Sequence, residues 1–245
     1  MISIIDWRMS QCEARGVNFH FNLLAEKSDV LESEPDVVIV ATGGLPNTRL
    51  FETNEELTEV VSSWDIIAGD EKPAARVLVF DESGDHPGLQ AAEVAAAAGS
   101  DVEIMTPDRA FAPNVMGMNL VPYMRALQDK NVRFTIGRRM LDVRRDGNHL
   151  TAVIGTDYSD HTYESEYDQI VLNYGTMPLD ELYFELKPLS SNGGENDYDA
   201  LTSGQTQARV RNRDGQFQLF RIGDAVSARN THAAIYDALR LVKDI

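Results

Sequence analysis

The feature of the sequence that most restricts its fold is a short pattern that occurs twice. Residues 36–46 read DVVIVATGGLP and residues 168–178 read DQIVLNYGTMP, so an acid, an apolar run, a glycine and a proline recur at the same spacing. Each apolar run is too short for a helix and is typical of a strand buried on both faces. The glycine then allows a sharp turn at the carboxyl end of the strand, which is the edge where open α/β sheets bind ligands. Two copies predict two related nucleotide-type domains, and the alternative is two ordinary buried strands that end in turns.

Charge and cysteine content exclude several classes of function. The formal net charge of −17 and the pI of about 4.6 argue against nucleic acid and anionic membranes as partners. Because Cys12 is the single cysteine, the chain has no internal disulfide and no cysteine cluster or zinc site, and we expect no metal site. No apolar run is long enough for a membrane span and no leader is evident, so we expect a cytoplasmic chain.

The order of the patterned segments predicts an α/β fold with a β-meander. A helix over residues 1–15 has no strand before it, and a strand is predicted at 17–21, before the first copy of the repeat. A second α/β unit follows, with strands at 75–81, 101–105 and 132–136 and helices at 88–98 and from about 120 to Lys130. Three short strands at 140–144, 150–155 and 162–167 then form a meander, with a hairpin at Asp146-Gly147.

Three other segments complete this interpretation. Residues 46–73 are interpreted as a crossover between domains, and residues 190–204 as a mobile surface loop. A last strand from residue 217 leads into Gly223-Asp224, and a final helix carries Ile235, Ala238, Leu239 and Val242 on one face. We therefore expect two Rossmann-like domains, the second (residues 73–178) inserted into a truncated first (residues 1–72 and 179–245).

The loop Ser83–Gly88 lies between a predicted strand and a predicted helix, where a dinucleotide fingerprint would lie. If Gly88 is the third glycine of the fingerprint, Gly84 takes a variable position, and Ser83 and Asp85 replace the first two glycines. The carboxylate of Asp85 would repel a phosphate, since two unit charges ~4 Å apart at an effective dielectric of ~20 repel by roughly 4 kcal/mol. The loop either binds NAD(P) despite this repulsion or keeps the fold without a cofactor.

The end of the second strand of this unit also departs from the fingerprint. Thr106 stands where an acid normally binds the ribose, and Asp108 could replace that acid only with a shifted backbone.

Two glycine segments in the other half of the chain are candidate cofactor contacts. They are Thr42-Gly43-Gly44 and Gly223-Asp224. An acid that follows a strand-end glycine and precedes a helix can hold a ribose or ribityl hydroxyl, while the helix N-terminus faces a phosphate. The alternative is that Asp224 only caps the last helix. His232 is the histidine that we place near a ligand, and no spacing of Ser, His and Asp predicts a catalytic residue.

Several of these segments together resemble one protein family. They are residues 4–17, 36–44, 64–69, 88–93 and 222–225. In them the chain resembles the C-terminal region of the NADH:flavin oxidoreductases of the Old Yellow Enzyme-like class. Within that class it is most similar to the branch of trimethylamine dehydrogenase, histamine dehydrogenase and the N-methylproline or dimethylglycine demethylases.

The resemblance implies a flavin-dependent oxidoreductase of which this chain is a fragment. Members carry an N-terminal TIM barrel with FMN and a four-iron cluster, and then an FAD- or ADP-binding domain that contains a second dinucleotide-type domain. The barrel would be the partner of this chain, and an electron-transfer protein a further one. The fragment alone is expected to be inactive and to hold FAD or ADP weakly or not at all.

The resemblance also assigns cofactor contacts. Thr42, Gly43, Gly44, Gly223 and Asp224 match the residues that contact FAD or ADP. The loop with Gly84 and Gly88 matches the NADPH-binding loop of the dienoyl-CoA reductase branch. The departures at the first two glycines and at the end of the second strand make NAD(P) binding doubtful, and they favour the amine-dehydrogenase branch. A degenerate dinucleotide fold that serves as a structural or protein-docking module is the alternative.

Overall fold

The computed structural model describes residues 2–49, 57–243 and 245, which form a mixed α/β fold. They divide into two compact units. One unit holds the described residues up to Val40 together with Glu181–Phe220, and the other holds those of Ala41–Asp180 together with Arg221–Lys243. Among the described residues, no helix has both the length and the apolar character that a membrane crossing requires.

The helices and strands have the following bounds. In chain order they are α1 (Ile2–Glu13), α2 (Lys27–Glu32), β1 (Val37–Val40), β2 (Gly44–Pro46), β3 (Val60–Ser62), α3 (Ser63–Ala68), β4 (Arg76–Asp81), α4 (His86–Ala98), β5 (Asp101–Thr106), α5 (Gly117–Asp129), β6 (Arg133–Ile136), β7 (Arg139–Asp146), β8 (His149–Thr156), β9 (Ser159–Tyr167), β10 (Gln169–Asn173), β11 (Thr176–Pro178), α6 (Glu181–Leu186), α7 (Tyr198–Ser203), β12 (Gln218–Arg221) and α8 (Thr231–Leu241).

A parallel sheet with the strand order β3-β10-β4-β5-β6 organises the larger unit. Alternate side chains of β4 point to opposite faces, so Val77 and Val79 join one core while Leu78 and Phe80 join another. The first core contains the buried alanines of α4, which bring that helix close to the sheet. The meander β7-β8-β9 supplies the second core. The strands and helices predicted for the second α/β unit are confirmed as β4, α4, β5, α5 and β6, whereas β3 joins the same sheet from outside the predicted bounds of that unit.

The predicted hairpin at Asp146-Gly147 is confirmed. Asp146 pairs with His149 at the end of the antiparallel β7-β8 pair, and Gly147 has a left-handed φ of 61°. A glycine adopts that conformation without the steric cost that a side chain would add.

The two copies of the repeated pattern have different surroundings. All residues of β10 are buried in the middle of the five-stranded sheet, as predicted, whereas in β1 only Val40 is buried. The prediction of a strand buried on both faces is therefore wrong for the first copy. β1 pairs only with β12 in a two-stranded sheet of the described residues, so fewer neighbours cover it.

The segments that leave the two copies pair with each other. β2 and β11 form an antiparallel ribbon within the larger unit, with Pro178 opposite Gly44 and Thr176 opposite Pro46. A Cβ atom on Gly44 would stand 2.6 Å from the carbonyl oxygen of Met177, so only glycine fits at this crossing. The glycine of the first copy is therefore required by strand pairing.

In the smaller unit, residues 190–204 contain α7 and the buried side chains of Ser190 and Asn192, so the prediction of a surface loop is wrong. The side-chain amide of Asn192 is buried and donates to the carbonyl oxygens of Leu219 (2.9 Å) and Glu195 (3.0 Å). Its side-chain oxygen accepts the backbone N–H of Leu219 at 2.9 Å. Asp197 then caps α7 by accepting the N–H of Ala200 at 3.1 Å.

Two other predictions are corrected by the structure. Residues 17–21 form no strand, although the rings of Phe19 and Phe21 stack 5.5 Å apart. The proposed crossover at 46–73 contains β3 and α3, while residues 50–56 lie outside the described residues. The predicted final helix is present as α8, with Ile235 48% exposed and Leu239 47% exposed on its apolar face.

Candidate functional site

The carboxyl ends of β4 and β10 bring two polar side chains together in the larger unit. Asp81 ends β4 and lies opposite Asn173, which ends β10. The Asn173 side-chain amide donates to Asp81 Oδ1 at 2.8 Å, and the backbone N–H of Gly84 donates to the same oxygen at 3.1 Å. The pair therefore links the second copy of the repeat to the start of the Ser83–Gly88 loop.

The carboxyl group of Asp81 is fully buried and only partly satisfied. Its Oδ2 atom has no hydrogen-bond partner among the described residues. Burial raises the pKa of Asp81 to about 6 from its ordinary 3.8, against the opposing effect of the hydrogen bonds from Asn173 and Gly84. A buried carboxylate without full hydrogen bonding is costly, so the proton is retained to a higher pH.

The first turn of α4 passes directly over this carboxyl group. A Cβ atom on Gly88 would stand 2.6 Å from Asp81 Cγ and 2.8 Å from its Oδ2. Glycine at this position therefore permits close packing of helix on strand, as the third glycine of a dinucleotide fingerprint does.

Side chains of the chain itself place acids around the N-terminus of α4. Asp85 is the N-cap and accepts the N–H of His86 at 2.7 Å. Asp108 Oδ2 lies 3.6 Å from the position of a Cβ on Gly84. Together with Asp81, these carboxyl groups make the end of the helix, which normally attracts anions, a poor place for a phosphate.

A cavity of about 420 Å³ opens at the same edge of the sheet. It is lined by Asn47, Glu82, Ser83, Tyr174 and Gly175. Glu82 Oε1 accepts from Arg139 at 2.7 Å, while Glu82 Oε2 is buried and has no partner in the part of the chain that the structure describes. The cavity therefore lies beside the second-copy glycine, with Glu82 and Tyr174 in its lining.

Thr42, Gly43 and Gly44 lie at the β2-β11 ribbon. The Thr42 hydroxyl donates to the carbonyl oxygen of Leu179. The backbone N–H of Leu179 in turn donates to the carbonyl oxygen of Gly43 at 3.0 Å. The Thr42 hydroxyl proton is thus used to close the ribbon.

Gly223 and Asp224 lie in a short 3₁₀ helix, Gly223–Ala225, that contacts β11. The structure therefore brings the two predicted FAD-contacting segments near each other within the larger unit. The N–H of Gly223 donates to Asp237 of α8 at 3.2 Å, and one oxygen of Asp224 accepts the N–H of Arg229 at 3.3 Å. The other oxygen of Asp224 has no partner among the described residues, so it can accept a ligand hydroxyl.

The start of α8 differs from the prediction. The helix begins at Thr231, and Asn230 caps it by accepting the N–H of Ala233 at 2.9 Å. Asp224 therefore does not cap α8, and the helix does not follow Gly223-Asp224 directly. His232 lies in the exposed first turn of α8.

Sequence reasoning missed Asp81, Asn173 and Glu82. The available signal was an acid as the last residue of an apolar strand, directly before a glycine loop. Within the described residues, no group of three or more His, Cys, Asp or Glu side chains is arranged to hold a metal ion.

Comparison with known proteins confirms the predicted resemblance. No family model matches the chain. Over its full 245 residues the chain is 62% identical to a probable N-methylproline demethylase of Rhizobium meliloti (strain 1021), of which it covers 36%. It is 36% identical over 250 aligned positions, 98% of the chain, to an N,N-dimethylglycine/sarcosine dehydrogenase of Chromohalobacter salexigens, of which it also covers 36%. The chain thus spans about a third of the length of the curated relatives it matches.

Solved structures show the same fold. Histamine dehydrogenase from Rhizobium sp. 4-9 matches 99% of this chain and 36% of its own, with a TM-score of 0.76 and 19% identity. An HOCl-induced flavoprotein disulfide reductase of Escherichia coli matches 84% of this chain and 43% of its own, with a TM-score of 0.56 and 16% identity. The architecture is therefore one that redox flavoproteins use.

Proposed function

We propose that this chain is the cofactor-binding part of a flavin-dependent oxidoreductase that demethylates an N-methylated amine or amino acid. The observation that carries this proposal is the 62% identity, over every residue, to a protein named as an N-methylproline demethylase. Residues 1–72 and 179–245 form a Rossmann-like domain for FAD or ADP, and residues 73–178 form a second one inserted in it. The TIM barrel, FMN and four-iron cluster belong to the remaining two-thirds of the parent protein.

In this proposal the flavin supplies hydride or electron transfer, and the residues of this chain position the nucleotide. The unpaired oxygen of Asp224 accepts a ribose or ribityl hydroxyl. Thr42 has its hydroxyl bonded to a carbonyl oxygen, so it shapes the ribbon beside the nucleotide and does not hold the nucleotide itself. Gly44 acts in the same way, since it permits the ribbon to form.

The inserted domain, we propose, takes no nicotinamide at α4. The carboxyl groups at the N-terminus of α4 support this proposal, because Asp85 is the N-cap and Asp81 lies beneath the first turn. One ionised carboxylate ~4 Å from a phosphate at an effective dielectric of ~20 weakens binding by roughly 4 kcal/mol, or about three decades in affinity. Electrons would then leave for a protein acceptor, and the inserted domain would act as a structural or docking module.

Calorimetric titration of the chain with ADP, FAD and NADH tests both parts of the proposal. We expect weak binding of ADP or FAD and no binding of NADH. Asp224→Ala should weaken ADP binding, whereas Asp160→Ala, which removes an exposed carboxylate on β9, should not. Failure of both ADP and FAD to bind would favour a docking module for the whole chain. Tight NADH binding would contradict the proposal for α4.

The activity itself is tested on the full-length parent. Incubated with N-methylproline or dimethylglycine and an artificial electron acceptor, it should release formaldehyde. If the parent reduces the acceptor with NADPH and oxidises neither amine, it would instead be a reductase.

A further inference from the structure

We propose that α1 and residues 17–24 of the smaller unit form a docking surface onto which the remainder of the parent protein packs. The occupant is an extended apolar segment of the parent whose backbone pairs with residues 17–21. This proposal rests on the proposed function, since it requires the chain to be part of a longer enzyme. It goes further by naming the surface that the rest of that enzyme covers.

The apolar side chains of this docking surface lie in solvent. Of residues 3–36, all of which the structure describes, none is buried. Eight large apolar side chains between residues 4 and 24 are exposed, among them Trp7, Phe19 and Phe21. A soluble protein routinely exposes single apolar residues, whereas a group of this kind marks an interaction site.

Residues 17–21 have the side-chain arrangement of a strand but no partner strand. Three apolar residues alternate with two polar ones, as in a strand with one covered face. The rings of Phe19 and Phe21 stack with their centroids 5.5 Å apart and 8° between their planes, so both lie on the same side of the chain. The backbone N–H groups of residues 18–21 donate to no described residue. A neighbouring apolar strand would cover the rings and accept these N–H groups.

The sheet of the smaller unit is itself incomplete among the described residues. β1 pairs with β12 in a two-stranded sheet, and Val40 is the buried residue of β1. Two strands alone are marginally stable in water. In the larger unit, by comparison, β10 has a neighbouring strand on each side and is buried throughout. We therefore expect the parent to add strands to the smaller unit.

The length of the curated relatives favours the parent as the occupant. The chain covers 36% of a relative to which it is 62% identical along its full length, so most of such a protein lies outside the chain. A lipid surface fits less well, because the net charge is −17 and α1 itself carries Asp6 and Glu13. A second copy of the chain is the other alternative.

Hydrogen exchange followed by mass spectrometry, on the chain alone and on the full-length parent, tests the proposal. In the chain alone the amides of residues 17–21 should exchange at nearly the rate of an unstructured peptide, since they lack acceptors. In the parent they should exchange at least about tenfold more slowly, because pairing within a sheet protects them. Residues of β8, which has a paired strand on each side, should exchange equally in both proteins.

Phe21→Asp separates a docking role from a role in the fold of the chain itself. Because its side chain is 66% exposed, the substitution should leave the melting temperature of the chain alone unchanged. In the parent it should remove the protection of residues 17–21 or prevent folding, since the new carboxylate would be buried. Met118→Asp, which changes a side chain of α5 that is 90% exposed, should alter neither protein.

Equally fast exchange of residues 17–21 in both proteins would overturn the proposal, as would a lower melting temperature of the chain alone after Phe21→Asp. Protection that appears in the chain alone when it dimerises in analytical ultracentrifugation, or when phosphatidylcholine vesicles are added, would also overturn it. The occupant would then be a second copy or a lipid.

These measurements require neither amine oxidation nor nucleotide binding. A parent that protects residues 17–21 but oxidises no amine would contradict the proposed function and support the docking surface. A parent that demethylates an amine but leaves these residues unprotected would do the reverse.

Discussion

Replacement of Asp81 by asparagine should make the stability of the larger unit less dependent on pH. Burial raises the pKa of Asp81 to about 6 from 3.8. Because the folded pKa lies above the unfolded one, the folded state holds the proton more tightly. The stabilising effect is complete below about pH 3.8 and is lost as the pH rises through about 6. That gap corresponds to about 3 kcal/mol.

The variant retains an oxygen that can accept from Asn173 and Gly84, but it cannot ionise. Its new N–H groups lack an acceptor, which lowers stability by a similar amount at every pH and so does not alter the pH dependence. As the pH rises from about 4 to about 7.5, the unfolding free energy of Asp81→Asn should therefore increase by about 3 kcal/mol relative to that of the parent.

Urea unfolding at a series of pH values measures this difference. The chain has two tryptophans, and Trp7 is 60% exposed, so a Trp7→Phe background leaves Trp64 of α3 as the fluorescent reporter of the larger unit. Parallel stability profiles for parent and variant, or a change of opposite sign, would refute the reasoning. Asn173→Ala is a second test. Because it removes a hydrogen bond that lowers the pKa of Asp81, the loss of stability should move to higher pH.

Three further predictions concern packing, a buried polar group and an ion pair. Gly88→Ala should lower the melting temperature and reduce the free energy of unfolding by about 1–3 kcal/mol, because its Cβ would meet the Asp81 carboxyl at 2.6 Å. Its control is Gly117→Ala, which has open space around its Cβ and should stabilise α5 by up to about 1 kcal/mol. Asn192→Ala should destabilise the smaller unit by about 3 kcal/mol and speed hydrogen exchange, since it leaves buried backbone groups unpaired. Hydrogen bonds from the Arg145 guanidinium lower the pKa of Glu59 from 4.5 to about 2. The protein should therefore lose stability as the pH falls through that range, which acid unfolding followed by circular dichroism measures. Glu59→Gln should lack this loss.

Clear outcomes would contradict each of these three. Equal melting temperatures for the two glycine variants would mean that α4 is not packed on Asp81. Unchanged hydrogen exchange after Asn192→Ala would support the mobile loop that the sequence predicts. If Glu59→Gln loses the same stability at low pH as the parent, the ion pair of Glu59 with Arg145 is not formed in solution.

Local patterns predicted much of the larger unit. The apolar run of β4, the alanines of α4 and the Asp146-Gly147 turn each specify their conformation through residues close in sequence. The same kind of reasoning failed at residues 17–21, where five alternating residues resemble a strand but no neighbouring strand pairs with them in the described structure. It failed again at Asn192, because its partner Leu219 lies 27 residues away.

For the candidate site, the sequence indicated the segments but not their chemistry. Asp85 was expected near the helix end, and it lies there as the N-cap. Asp81 was not noticed, because an acid at the end of a strand has no special meaning until the helix is packed over it.

The sequence by itself determined the strand-turn-helix order, the meander and the relationship to the demethylase branch, because these depend on short patterns and on identity. Only the tertiary structure decided that β2 and β11, which follow the apolar runs of the two copies of the repeat, pair with each other, with Gly44 opposite Pro178. It also decided that burial raises the pKa of Asp81 to about 6. The physical reason is that burial and pairing arise from residues far apart in the chain, such as Asp81 and Asn173, which are 92 positions apart and lie 2.8 Å from each other.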